Sequence, residues 1–191
     1  MIVFLDANIL FAAAHKPIGK SAKLIKLCAD QEKIRIVTCD TGANEARRNL
    51  ALKYPQGLTE LDSLLRDMTC VTIYSGLPCP IPLNPKDAIL FASAIQLGAT
   101  HFLTGDLGDF GPYMNDPGRS AGILIQTVRE FINSNLEEYP FLIAAQETRA
   151  KYRADFKKAI RAGIKVKVAA KEGKTLKERR RTDSNASLPF T

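Results

Sequence analysis

Four acidic residues stand out for where they fall in the sequence. Asp6 follows the apolar run IVFL (2–5), and Asp106 follows HFLT (101–104) across a single glycine. Glu45 and Asp87 fall in the early turns of helix-forming segments. Carboxylates gathered in one cleft repel, so some would have raised pKa values unless a counter-charge were present. A hard divalent cation removes that penalty, and all-oxygen ligation suits Mg²⁺ or Mn²⁺. Such an ion acidifies a water, orients it in line with a phosphodiester and stabilises charge on the leaving oxygen. Taken singly, three of the acids also have ordinary structural explanations. Early-turn carboxylates such as Glu45 and Asp87 favour the positive end of a helix, and Gly105-Asp106 is a common turn pair. Asp6 is harder to explain away, because a carboxylate directly after a buried strand is costly unless paired or metal-bound.

Competing chemistries are poorly supplied. His15 and His101 have no obvious partner, so no Ser-His-Asp or Cys-His arrangement suggests itself. The four cysteines, 28, 39, 70 and 79, include no C-x-x-C pair. They read as buried thiols in a reducing cytosol rather than zinc ligands.

The elements that must position the acids follow from the apolar pattern. IVFL (2–5), IRIV (34–37), CVTI (70–73), HFLT (101–104) and GILI (122–125) read as short strands, several of them continuously apolar. Between them fall helical segments over 20–31, from Thr41, over 57–67, after Asn84, and over about 126–133. Thr41 is read as the N-cap of the helix bearing Glu45. Asn84 caps the next with Pro85 at its first position, Ala88, Phe91, Ala92 and Ile95 as its buried stripe, and Gly98 as a left-handed stop. The intervening SGLPCPIPLN, with its prolines, reads as a loop. Strands alternating with helices predict an α/β fold with a mostly parallel sheet covered on both faces. In such sheets ligands bind beyond the carboxyl ends of the strands, where Asp6 and Asp106 fall.

The chain has 191 residues, 46% of them hydrophobic, which suits one well-formed core. MIVFLDANILFAAA lacks a positive leader and is interrupted by Asp6, and no stretch reaches the roughly 18 apolar residues of a membrane span. A soluble cytoplasmic protein is expected. The net charge of +7 is unevenly spread: residues 1–148 carry 13 Lys+Arg against 16 Asp+Glu, and residues 149–191 carry 14 against 4. The expected organisation is a core domain over 1–135, an amphipathic basic helix over 136–163 and a basic tail over 164–191. That helix is read from Tyr152, Phe156 and Ile160, and IKVKV (164–168) alternates like an edge strand. In the tail, Lys177, Arg179, Arg180 and Arg181 are candidates for holding nucleic acid phosphates, although solubility alone also explains such a run.

The motifs resemble those of the PIN-domain family. Asp6-Ala7-Asn8 resembles the family's opening Asp after the first strand. TGANEARRN (41–49) is similar to the helix bearing its conserved Glu, which puts Glu45 in that role. PKDAILFASAIQLGA (85–99) matches the helix with an early Asp, here Asp87. HFLTGDLGDF (101–110) resembles its strand-end Thr-x-Asp motif, here Thr104 and Asp106, with Asp109 as a variable fifth acid. The resemblance covers about residues 1–133. It implies a three-layer α/β/α sandwich and Mg²⁺- or Mn²⁺-dependent hydrolysis of single-stranded or structured RNA. Asp6, Glu45, Asp87 and Asp106 would hold the metal with Asp109 beside them, while Asn8 and Thr104 would orient carboxylates or bind a phosphate. Many relatives are VapC-type toxins paired with an antitoxin protein, and many are homodimers; the basic extension departs from a minimal toxin.

Two other readings remain open at this point. A haloacid-dehalogenase-like phosphatase also uses a strand-end Asp, but needs a second acid where this chain has Asn8. A non-catalytic RNA-binding module would use the basic arm and hold a metal only structurally.

Overall fold

The computed structural model describes residues 1–72, 76 and 78–146, all within a compact unit spanning Met1–Arg149. Five short strands form its sheet: β1 (Ile2–Leu5), β2 (Arg35–Cys39), β3 (Thr69–Val71), β4 (His101–Leu103) and β5 (Leu124–Gln126). Their spatial order is β3-β2-β1-β4-β5, and every pairing is parallel. The chain thus builds outward from β1 through β2 to β3, then crosses back to lay β4 on β1's other side. That reversal between β1 and β4 is the switch point at which open parallel sheets leave a crevice.

Helices cover both faces of the sheet. They are α1 (Ala7–His15), α2 (Lys20–Ala29), α3 (Asp40–Lys53), α4 (Leu58–Arg66), α5 (Pro85–Gln96) and α6 (Val128–Ser134). Alternation along β1 sends Val3 and Leu5 to one face and Phe4 to the other. Val3 and Leu5 join Leu10, Ile25, Leu50, Leu61 and Phe131 in one core. Phe4 joins Val37, Phe91, Phe102, Phe110 and Ile125 in the second. Phe4 and Phe102 stack at 5.4 Å between ring centroids, and Phe91 meets Phe102 edge-on at 5.5 Å. The result is a three-layer α/β/α sandwich, as the family resemblance implies, built on the parallel sheet covered on both faces that the alternation of elements predicts.

Several local details differ from the sequence reading. α1 is an addition, since ANILFAAAH buries Ala7, Ile9, Leu10, Ala13 and Ala14 and so shows little polar face. α3 begins at Asp40, not with Thr41 as cap; its N-cap is Cys39, and the Thr41 N–H donates to Asp40 Oδ1 at 2.8 Å. In α5 the buried residues are Leu90 to Ala94, with Ala88 and Ile95 only half-buried, because Leu90, Phe91 and Ala94 are what pack on the sheet. β5 starts at Leu124, after Gly122 takes φ +82°. Of the cysteines, Cys28 and Cys39 are buried, but Cys70 lies exposed on edge strand β3 and Cys79 is half-buried. The Asn84–Pro85 start of α5 and the left-handed Gly98 after it, φ +66°, are as read.

Packing continues beyond 135, since Tyr139, Leu142 and Ala145 belong to the first core. From residue 147 onward the expected basic helix, the 164–168 strand and the tail with Lys177, Arg179, Arg180 and Arg181 lie outside the described residues. Among the described residues no helix is long and apolar enough to cross a membrane.

Candidate active site

Asp6 directly follows β1, the central strand of the sheet, and is the residue from which α1 departs. Its side chain does not cap that helix. Oδ2 instead accepts from the Thr104 hydroxyl at 2.6 Å and from Asn8 Nδ2 at 2.5 Å. With the residue 3% exposed, burial pushes the carboxyl up to about 6. The hydrogen bonds from Thr104 and the Ala7 backbone hold it down in part, and the charges of Glu45 and Asp106 raise it further.

Thr104 and Asn8 tie the ends of β1 and β4 together. Thr104, fully buried, accepts from Asn8 Nδ2 and from the Asp106 N–H, both at 3.0 Å. Asn8 Oδ1 accepts from the Gly105 N–H at 2.9 Å. Every one of these bonds fixes the backbone path that delivers Asp106. Asp106 Oδ1 then accepts from the N–H groups of Gly108 (2.8 Å) and Asp109 (3.2 Å), which turns the chain tightly and brings Asp109 back.

Asp87 arrives from the opposite side, in the first turn of α5. Asn84 organises this side with its whole amide. Its Oδ1 accepts from the N–H groups of Lys86 and Asp87, while Nδ2 donates to Asp87 Oδ2 at 2.5 Å and to Asp109 Oδ2 at 2.7 Å. The Asp87 carboxyl is pushed up to about 6, first by desolvation and then by Asp109, against the lowering effect of Asn84. Glu45 is half-buried on α3, which lies close because its inner face is Gly42, Ala43 and Ala46. A Cβ at Gly42 would lie 3.3 Å from both Leu90 Cδ2 and Thr38 Oγ1, a tight approach that those side chains would have to yield to by a few tenths of an ångström.

These elements enclose a cleft of about 220 Å³ whose walls include Asp6, Asn8, Glu45, Asp87 and Asp106. The four acids singled out in the sequence therefore share one cavity. Asp87, Asp106 and Asp109 form the tightest group, with one oxygen from each lying within 4.8 Å of the others. The donor set is entirely oxygen, and the carboxyls of Asp6 and Asp87 are raised chiefly by burial, with neighbouring acids adding to it. Those residues fit a hard divalent cation. The histidines stand elsewhere: His15 packs on Tyr54, and His101 packs on Phe131.

Three cleft residues were missed in the sequence: Phe11, Asn49 and Lys53. Their signal is present once α3 is placed, because Glu45, Asn49 and Lys53 recur at four-residue intervals and share a face. Asn84 was read only as a helix cap, and its donation to Asp87 and Asp109 could not be inferred without knowing that Asp109 folds back.

No protein-family model and no curated protein sequence matches the chain. Solved structures do. VapBC2 from Rickettsia felis, determined bound to a DNA fragment from its promoter, contains a chain that aligns with a TM-score of 0.50 and 16% identity, over 66% of this chain and 98% of that one. A chain of VapBC-1 from nontypeable Haemophilus influenzae aligns with a TM-score of 0.45 and 17% identity, over 68% and 99%. At such identity the first likeness speaks to architecture, and it agrees with the parallel β3-β2-β1-β4-β5 sheet and its two helical layers. The chain has a VapC-like PIN-domain fold.

Proposed function

We propose that the protein is a Mg²⁺- or Mn²⁺-dependent ribonuclease that hydrolyses RNA phosphodiester bonds at the carboxylate cleft. The observation that carries this reading is the meeting of Asp6, Glu45, Asp87 and Asp106 in one cavity at the switch point of a VapC-like fold. Asp6, Glu45, Asp87 and Asp106 would hold the cation, with Asp109 beside them. Bound there, it would supply an acidified water and charge neutralisation for the leaving oxygen. The chain's own residues do the positioning. Thr104 and Asn8 aim Asp6 through its Oδ2 and leave its other oxygen free of those two bonds. Asn84 holds Asp87 and Asp109 together although both are acids.

The partner in this reading is an antitoxin protein, supported by the VapBC pairing of the structural neighbour, and the enzyme acts as the toxin of that pair in the cytoplasm. Association as a homodimer belongs to the same reading. Lys177, Arg179, Arg180 and Arg181 add a sequence-independent hold on RNA phosphates. Truncation after residue 162 should flatten the fall of RNA affinity with salt if that hold operates, and leave it unchanged if it does not. The phosphatase reading is disfavoured by Asn8, whose amide supports Asp6 where that chemistry needs an acid.

The test is cleavage of end-labelled single-stranded RNA by wild type and Asp106→Asn, with Mn²⁺ or with chelator. Metal-dependent cuts lost in the variant support the reading. RNA binding without cleavage under any of these conditions would favour a binding module instead.

A further inference from the structure

The cleft does not end at the carboxylates. α3 carries Glu45, Asn49 and Lys53 along one face, and all three line the same cavity. At about 1.5 Å per residue, the Lys53 backbone stands roughly 12 Å along the helix axis from that of Glu45, so the two mark different ends of the groove. Opposite, α1 carries Asn8 at the acid end and Phe11 further along, both also in the cavity wall. Behind Phe11, outside the cavity wall, His15 meets its ring at 5.7 Å and in turn meets Tyr54 edge-on at 4.5 Å.

The chemistry of that end differs from the acid end. Lys53 is the one cation among the described residues lining the cleft, and it is exposed. Lys26 and Arg47 are neutralised by Glu60 and Asp62, but no ion pair engages Lys53 among the described residues. The Asn49 amide, half-buried, is likewise without a hydrogen bond among the described residues. Phe11 is half-buried, packed on the first core on one side and bordering the cavity on the other. An ammonium, an amide and an aromatic wall in one groove match the phosphate and the base of a nucleotide.

We propose that this end of the cleft is a subsite for one nucleotide of single-stranded RNA, flanking the bond to be cut. Lys53 and Asn49 take its phosphate, and Phe11 stacks its base. The assignment rests on the ribonuclease reading for the identity of the ligand, and its test separates the two.

Full-length Lys53→Gln, Lys53→Arg and Phe11→Leu are assayed for Mn²⁺-dependent cleavage of a short unstructured RNA. The same proteins are titrated with that RNA, fluorescein-labelled, in chelator, and with Mn²⁺ alone by calorimetry. Lys53→Gln should raise KM and the RNA Kd several-fold and lower the slope of log affinity against log salt by about 0.7, with kcat and Mn²⁺ affinity unchanged. Lys53→Arg should restore the slope. Phe11→Leu should weaken RNA binding roughly tenfold with no change in salt slope. Lys53 is exposed, so its variants should fold as wild type does. RNA affinity and salt slope unchanged in Lys53→Gln would overturn the subsite, whatever the activity. A wild type that binds RNA through Lys53 but never cuts it would sustain the subsite and sink the ribonuclease reading alone.

Discussion

Asp6→Asn should make the metal-free protein more stable, and increasingly so as pH rises. The Asp6 carboxyl is lifted from 3.8 to about 6 in the folded chain, chiefly by burial. A raised carboxyl pKa means that protonation favours the fold. The associated stability is fully present below the unfolded value and is lost as pH rises through about 6. A shift of about two units corresponds to about 3 kcal/mol at pH 7 and above, and at 3% exposure little of this is screened by solvent. Asparagine removes the charge and keeps an oxygen to accept from Thr104 and Asn8. Urea unfolding in chelator, followed by circular dichroism from pH 4 to 8, should therefore give curves that meet near pH 4 and separate by about 3 kcal/mol above pH 7. In thermal melts the gap should be roughly 6–12 °C for a domain of this size. Mn²⁺ at one hundred times its Kd should restore about 2.7 kcal/mol to wild type and little to the variant. Parallel curves across the pH range, or a variant less stable than wild type at pH 7, would refute the claim that burial holds this carboxylate at a cost that a cation relieves.

The other side chains of the site give separate expectations. Thr104→Val keeps the shape but leaves the Asn8 amide and the Asp106 N–H short of a buried acceptor; urea unfolding should show a loss of about 1–3 kcal/mol. The same change removes a bond that lowers the Asp6 carboxyl, so the acid limb of any pH–rate profile should move upward. Asn84→Ala should cost about 1 kcal/mol as a lost helix cap and, by releasing Asp87 from Asp109, weaken Mn²⁺ binding measured by calorimetry. Thr127→Ala breaks the capping box with Glu130 on α6, away from the cleft residues. It should lower stability by about 1 kcal/mol and leave cleavage and Mn²⁺ affinity unchanged.

Much of the architecture was legible because it is written in local patterns. Continuously apolar runs marked the strands, and Asn84-Pro85 with Gly98 thirteen residues after Pro85 bracketed α5. α1 was hidden because ANILFAAAH is apolar on most sides and shows little polar face, and its N-cap, Asp6, spends its side chain on Thr104 and Asn8 rather than on the helix. The acids were readable as strand-end and helix-start residues, yet their convergence depends on the crossover that seats β4 beside β1, which no local pattern encodes. Asn84 and Lys53 escaped for the same reason. Each looks like an ordinary helix-end residue until its neighbours from another segment are in place.

The central claim is that the carboxylate cleft hydrolyses RNA by a metal-dependent attack of water. It is tested most directly by incubating end-labelled RNA with purified protein across a Mn²⁺ titration and determining the chemistry of the new ends. Cleavage that rises with Mn²⁺, vanishes in chelator and in Asp106→Asn, and leaves no 2′,3′-cyclic phosphate is the result the account predicts. Cleavage that persists in chelator or in that variant, or products ending in cyclic phosphate, would contradict it.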